Sequence, residues 1–566
     1  MDRLAPVAPS DEIDLYVRTY TSLLRSTGEV RVRAFEEAHA FSTSALHPGA
    51  LATDPDVSAF AYAAARLPAT MIATRFIVLG QSHELFEAAG YDVRAWRMVR
   101  TRGRRRPLRY DGEGTLAVFI ASVSDIDDLV PIVTAYQIEW NKMHARLAGT
   151  PVEKDGSLDI TAVRAALGVD DAAWQKLVDA FGNASLGPGI RALATAPIDL
   201  RVRMLSASYS QYQRAAQRWW GGVEPTYLRK EEPRRPPVYF VSSNTHAVAN
   251  LLGGYARANQ DEIVAYARTK NPEGLASAVD GALASGDHAE ISSLLYYLLR
   301  GYIHDGPPAR MREVRDLEAK CGLVHMSEPG HIDVDAQLLE LSKVRPEQLD
   351  PRLRVPGVEK LAKSDAVILN IDYPLGMAAF HLLSRIGQGL GEVRGVYVMG
   401  KAATLNGRVG DVSVSGAVYD EHSRNTFLFK NAFNANHVRP YLRYGSVFDN
   451  QSALTVRSAF LQNKPYMGTF YRDGYTVLEM EAGPFLGAIY EMVYPARVPT
   501  NEIVQLADKT PFDLGILHYA SDTPYSRRQS LLSKSLSYFG VDATYACAIA
   551  IVRRILEREV ARVSSP

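Results

Sequence analysis

The sequence predicts an α/β protein: a three-layer domain with a central mixed sheet flanked by helices, preceded by a mostly helical N-terminal region. Three observations carry that expectation. From Asp365 onward, short apolar runs alternate with amphipathic stretches, as strands covered on both faces alternate with helices. Val238-Tyr239-Phe240-Val241 runs through a polar loop into an apolar helix, the opening unit of such a sheet. Most of the first 230 residues instead space their apolar side chains by three and four. With 566 residues the chain exceeds what one hydrophobic core serves, and the breaker-rich segment 231–237 (Glu-Glu-Pro-Arg-Arg-Pro-Pro) divides residues 1–230 from 238–566.

The elements follow in order. Residues 11–45 and 58–90 read as helical. The basic run Arg102 to Arg109 reads as a solvated turn in preference to an anion contact, since charge runs usually face water. Residues 115–121 resemble one buried strand, and helix returns over 157–222, ending at a tryptophan pair, Trp219 and Trp220, assigned to packing. Residues 258–350 read as a helical insertion. Then come a strand over 366–371, a glycine-containing turn at Gly376, a helix over 377–386, and a strand over 395–399 that stops at Gly400. Further strands are expected at 412–418, 452–461, 475–478 and 514–519, with a last helix over 544–560.

Bulk properties exclude several classes. Lys plus Arg and Asp plus Glu both number 63, so no global charge draws the chain to nucleic acid or an anionic membrane. Two cysteines, Cys321 and Cys547, make neither a disulfide framework nor a zinc site, and no metal-ligand spacing is present. No signal-peptide pattern and no membrane-length apolar run appear, so the expected location is cytoplasmic.

Ligands of such sheets gather at the carboxyl ends of strands. Three ends carry unusual residues: Gly400-Lys401-Ala402 followed by Val409-Gly410-Asp411-Val412, then Glu479-Met480-Glu481-Ala482, then Ser521-Asp522-Thr523-Pro524. Each alone is explained by a cap or an ion pair. Together, in this order and spacing, they resemble the nucleoside phosphorylase/nucleosidase superfamily, and with Asn370-Ile371 to Gly376 they are similar to AMP nucleosidase. The resemblance covers residues 365–566 and extends back to Val238 through the first strand.

The resemblance implies cleavage of the N-ribosidic bond of a purine nucleotide or nucleoside. Asp522 would protonate the leaving base and Glu481 would hold the ribose hydroxyls, opposite a cationic, oxocarbenium-like transition state. Met480 would pack on the sugar; Gly400, Lys401, Ala402, Glu479 and Ser521 would line the pocket. A phosphate, as co-substrate, activator or 5′-group, would find His246, Gly376, Arg443 and Arg457. The turn sequences and the large N-terminal region favour hydrolysis; phosphorolysis and a non-catalytic nucleotide sensor are the alternatives. Lys401 departs from the small residue usual there, and Pro484 from the usual alanines. No cofactor is implied. A homo-oligomer is expected by resemblance. The turn Asp420-Glu421-His422 and the aromatics Tyr466, Phe470 and Tyr471 are secondary candidates for substrate contact.

Overall fold

A computed structural model describes residues 11–565 apart from 27, 105, 155–156, 229–233, 328, 507–509 and 525–537. The breaker-rich segment 231–237 lies partly outside the described residues.

The N-terminal region is built on a sheet. Its strands are β1 (Val30–Arg31), β2 (Phe76–Gly80), β3 (Arg97–Val99), β4 (Leu108–Tyr110), β5 (Thr115–Phe119) and, after a small hairpin of β6 (Glu153–Lys154) and β7 (Ser157–Leu158), β8 (Arg201–Met204). They lie in the order β1-β8-β2-β5-β4-β3. This corrects the helical reading of 58–90. Phe76-Ile77-Val78-Leu79-Gly80 is an apolar run whose Ile77, Val78 and Leu79 are fully buried, and it pairs parallel with β5 on one side and β8 on the other. Apolar runs this short lack a helical period, so the pattern of flanking helices spread over them. The helices from Asp11–Ser26 to Leu186–Thr195 surround this sheet, and one long helix, Val123–Leu147, starts from a capping box of Ser122 and Asp125.

The C-terminal part holds β9 (Val238–Ser242), β10 (Leu323–Met326), β11 (Ala336–Glu340), β12 (Val367–Ile371), β13 (Val393–Thr404), β14 (Val412–Asp420), β15 (Asn425–Leu428), β16 (Val447–Thr455), β17 (Tyr475–Glu479), β18 (Ile503–Gln505) and β19 (Asp513–Asp522). The order is β10-β11-β12-β9-β13-β17-β16-β14-β15-β18, with β19 bridging β13 and β14. Strands β13, β17, β16, β14 and β19 therefore close on themselves. The insertion at 258–350 contributes β10 and β11 as well as helices. Strand β13 does not stop at Gly400 but continues through Thr404, because residues 400–403 go on pairing with β19.

Three layers result. One face of the sheet packs against the helices Tyr209–Tyr227, Met377–Gly389 and Ala482–Val493; the other packs against Thr245–Gly253, His288–His304 and Tyr538–Ser564. The Tyr209–Tyr227 helix, grouped with the N-terminal region by sequence, buries Trp219 and Trp220 completely against the C-terminal sheet, and the Trp219 indole donates to the Val334 carbonyl at 2.9 Å. Truncating either ring to alanine costs about 3–5 kcal/mol on general grounds. The N-terminal core in turn runs into Leu454, Phe460, Met467 and Phe470 of the C-terminal part. The two parts thus share one packed seam, and the site lies along it. No helix among the described residues is long and apolar enough to cross a membrane.

Candidate functional site

The parallel strands β9, β12, β13 and β19 point their carboxyl ends the same way, and each end delivers a loop to one region. After β9, Asn244 caps the Thr245–Gly253 helix by accepting from the His246 and Ala247 amides, which presents His246 at the helix start. Asn370, buried within apolar β12, donates to Gln337 at 2.9 Å and accepts from Ser243 at 2.8 Å, tying this loop to the next strand. After β12 the chain turns at Gly376 with φ +53°, ψ −122°; a Cβ there would sit 2.2 Å from Ser124 Oγ, so only glycine fits. Ser124, at the start of the Val123–Leu147 helix, accepts from the Met377 amide at 2.9 Å and so docks the N-terminal part onto this turn.

The Glu-Met-Glu turn follows β17 and divides its labour. Glu479 is buried and fully engaged: it accepts from the Glu481 and Ala482 amides at 2.7 Å each and from Thr455, and His518 stands 3.8 Å away. Burial would push its carboxyl up, but His518 and these donors hold it below the usual glutamate range. Glu479 therefore belongs to the architecture of the turn and not to a substrate surface. Gly400 is likewise occupied by its neighbours, since a Cβ on it would meet the His518 ring at 2.9 Å. Glu481 behaves oppositely. Burial, then the nearby Glu479 charge, pushes it up to about 8, against the pull of Arg104 and of the Met480 and Gly376 amides. It opens onto a cavity of about 280 Å3.

That cavity is walled by both parts of the molecule. The N-terminal side supplies Arg104, Arg106 and Asp125; the C-terminal side supplies His246, Tyr373 and Glu481. Arg104 binds Asp128 through Nε at 3.0 Å and Nη2 at 2.7 Å, while Arg106 bridges Asp125 and Asp128 at 3.0 Å each. The basic run is thus no solvated turn: Arg106 is buried, because the Val123–Leu147 helix carries the carboxylates that pair it. A second cavity, about 880 Å3, adjoins the first at Asn244, His246 and Tyr373 and reaches Lys401 and Tyr519. The Tyr373 and Tyr519 hydroxyls meet at 3.1 Å along it. Small-molecule sites commonly span roughly 300–1,000 Å3.

Asp522 ends β19 in register with Ala403, whose other neighbour is Leu478 on β17. Asp522 and the Glu479–Glu481 turn thus follow the two strands that flank this part of β13. Burial pushes Asp522 up to about 6, against the Thr523 amide, which it accepts at 2.9 Å, and the charges of Lys401 and Arg66. Arg66, from the N-terminal part, also acts on Lys401, and Arg104 acts on Lys401, Arg66 and Glu481. One basic cluster thus joins both carboxylates. Lys401 is solvent-accessible on the wall of the larger cavity, and burial and the Arg66 charge lower it.

Other candidates fall elsewhere. Ser521 donates to the Ala402 carbonyl at 3.2 Å, so the two knit β19 to β13, and Met480 packs against the N-terminal core. Arg443 is spent on Asp287 at 2.6 Å and Glu290 at 3.0 Å on the helical insertion. The Arg457 amide and guanidinium both engage Glu421, near Asp127. Neither arginine reaches a phosphate position beside Glu481. Tyr466 and Phe470 are buried in an aromatic cluster with Tyr419 and Tyr475, and Tyr471 is exposed. His422 lines a separate cavity of about 420 Å3, in a turn where Asp420 accepts from the His422 and Ser423 amides. Sequence reasoning missed Arg66, Arg104 and Tyr373; for Arg104 the available signal was the run at 102–109 ahead of Asp125 and Asp128. Among the described residues no group of three or more His, Cys, Asp or Glu side chains could hold a metal ion.

The chain belongs to the family of unknown function DUF6909, whose model matches residues 32–557. None of the curated proteins matches it. Among solved structures it is similar to the Arabidopsis thaliana 5′-methylthioadenosine nucleosidase, at 10% identity over 42% of this chain and 88% of that one, with a TM-score of 0.28. It is similar also to the Schistosoma mansoni uridine phosphorylase in complex with thymidine, at 12% identity over 45% and 84%, TM-score 0.28. A third is the 5′-methylthioadenosine/S-adenosylhomocysteine nucleosidase of Colwellia psychrerythraea in complex with adenine, at 10% identity over 43% and 90%, TM-score 0.27.

Proposed function

We propose that this member of the DUF6909 family cleaves the N-ribosidic bond of a purine nucleotide or nucleoside by hydrolysis, with Glu481 and Asp522 as its acid–base pair. The observation that carries the reading is a pair of carboxylates, Glu481 on a cavity wall and Asp522 at the end of β19, with titrations pushed up to about 8 and about 6. Acid–base enzymes need groups poised near the operating pH, and burial supplies that here.

The chemistry follows from where the proton rests. Breaking the bond leaves positive charge on the sugar and puts the proton of Asp522 on the base; water then adds to the sugar carbon and returns a proton to the Asp522 carboxylate. Before substrate binds, Glu481 carries the proton and Asp522 is largely ionised at neutral pH. The productive form has the proton on Asp522 and the charge on Glu481, a minor form at neutral pH. Ribose hydroxyls donating to Glu481 favour its ionised form, so substrate binding itself moves the proton towards Asp522. The ionised Glu481 then faces the developing cation, a contact that strengthens as the bond breaks. Arg104, fixed by Asp128, supplies the charge that lets Glu481 ionise.

The test is incubation of the full chain with AMP, adenosine, inosine and guanosine, with and without inorganic phosphate. Hydrolysis releases free base and a reducing sugar without phosphate. Release that needs phosphate and yields a sugar 1-phosphate identifies phosphorolysis instead. Tight purine binding with no release identifies a sensor.

A further inference from the structure

Two cations at this site are without an ionic partner among the described residues, and Arg66 stands where burial penalises charge. The Arg66 guanidinium stacks over the Tyr62 ring at 3.4 Å and donates from Nη1 to the Tyr62 carbonyl at 3.1 Å. Its Nε is shut off from solvent with no hydrogen-bond partner. The backbone at Gly103 closes over its stem, with the Gly103 amide donating to the Ala65 carbonyl at 2.7 Å, and the next residue is the cavity-lining Arg104. Lys401 projects from β13 onto the larger cavity and makes no hydrogen bond or ion pair among the described residues.

Arginine does not shed its proton in a protein, so a half-buried guanidinium without an ionic partner gains stability when an anion joins it. Asp522 acts on both cations; Asp128 also acts on Arg66 but is already bonded to Arg104 and Arg106. Two positive charges against one negative leave an excess of one. Arg104 and Arg106 do not add to it, being matched by Asp128 and Asp125. The planar guanidinium suits a multi-oxygen anion, and Lys401 suits the same anion as a point charge.

We infer that Arg66 and Lys401 together hold a phosphate-class oxyanion beside Asp522, so that the N-terminal part completes the site of the C-terminal sheet. The inference rests on the proposed ribosidic cleavage for its chemistry but not for its binding. The oxyanion is the 5′-phosphate of the nucleotide substrate or a free phosphate. In either case it neutralises the cation pair and leaves Asp522 less stabilised as an anion, which favours the protonated form that the leaving base requires.

The experiment is calorimetric titration of the full chain with inorganic phosphate, AMP and adenosine, for wild type, Arg66→Lys, Arg66→Met and Lys401→Met. Arg66→Met bears on a partly buried position, so the solvent-accessible Lys401→Met and the charge-keeping Arg66→Lys guard against a folding artefact. Each loss is expected to weaken the phosphate-bearing ligand by about tenfold or more and to leave adenosine within about twofold. AMP binding well above adenosine identifies the substrate's own phosphate; phosphate binding alone, with AMP no better than adenosine, identifies a free anion. Unchanged affinity for phosphate and AMP in folded Lys401→Met and Arg66→Met overturns the inference. Arg66-dependent phosphate binding without any base release would leave the inference standing and remove the proposed reaction.

Discussion

Glu479 and Glu481 lie two residues apart on one turn and meet opposite fates. Around Glu479 three donors crowd onto one carboxylate, the Glu481 and Ala482 amides and Thr455, with His518 3.8 Å away. Around Glu481 the strands have ended, and the side chain meets a cavity, the Met480 and Gly376 amides, the Arg104 charge and the opposing charge of Glu479. The saturated acid builds the turn; the undersupplied acid keeps a proton within reach of neutral pH. In a buried setting, the count of donors around an acid says more about its role than the residue type does.

Substitutions can break that contrast. The largest expected effect is on turnover: Asp522→Asn and Glu481→Gln each lower kcat/KM by roughly 10²–10⁴-fold. Glu481→Gln is expected to leave the thermal midpoint unchanged or raised, because it removes a buried acid beside another, and calorimetry checks this. Next comes Glu479→Ala, which removes a buried, fully bonded carboxylate and leaves its donors unpaired. It is expected to cost about 3–5 kcal/mol in urea unfolding. Equal urea midpoints for Glu479→Ala and wild type would erase the distinction between the two acids.

A smaller effect sharpens the comparison. The kcat/KM profile against pH is expected to be bell-shaped, with limbs near 6 and 8 from Asp522 and Glu481. Below the lower limb both acids are protonated and Glu481 cannot meet the cation; above the upper limb both are ionised and no proton is left to give. Asp522→Asn removes the limb near 6 from whatever activity remains, and its persistence there would reassign that titration. The smallest effect belongs to Arg443→Ala. Its partners Asp287 and Glu290 lie on the surface of the insertion, so kcat/KM stays unchanged and stability shifts by no more than about 0.5 kcal/mol, both read in one assay with a melting curve.

Much of the C-terminal sheet was legible because its strands are apolar, short and separated by strong turn signals. The runs at 366–371, 412–418, 475–478 and 514–519 all fall on strands β12, β14, β17 and β19. The N-terminal sheet was hidden for the opposite reason: β1, β3, β4 and β8 have two to four residues each, too few to display a period of two. At the site, the three segments carrying Lys401, Glu481 and Asp522 could be read as unusual one by one. What no spacing along the chain could supply was the far wall. Arg66 and Arg104 arrive from another part of the chain, and a run of arginines looks the same in a sequence whether it faces water or Asp125 and Asp128. Equally, nothing local distinguished Glu479 from Glu481, because Thr455 and His518 reach the first acid from other strands.

The most direct measurement is chromatographic release of purine from the best substrate by wild type, Glu481→Gln and Asp522→Asn, at matched concentration and with folding verified. The account predicts steady release of base by wild type and a drop of roughly a hundredfold or more in each folded variant. Release that survives undiminished in folded Asp522→Asn, or no release of base by wild type from any purine nucleoside or nucleotide, would contradict it.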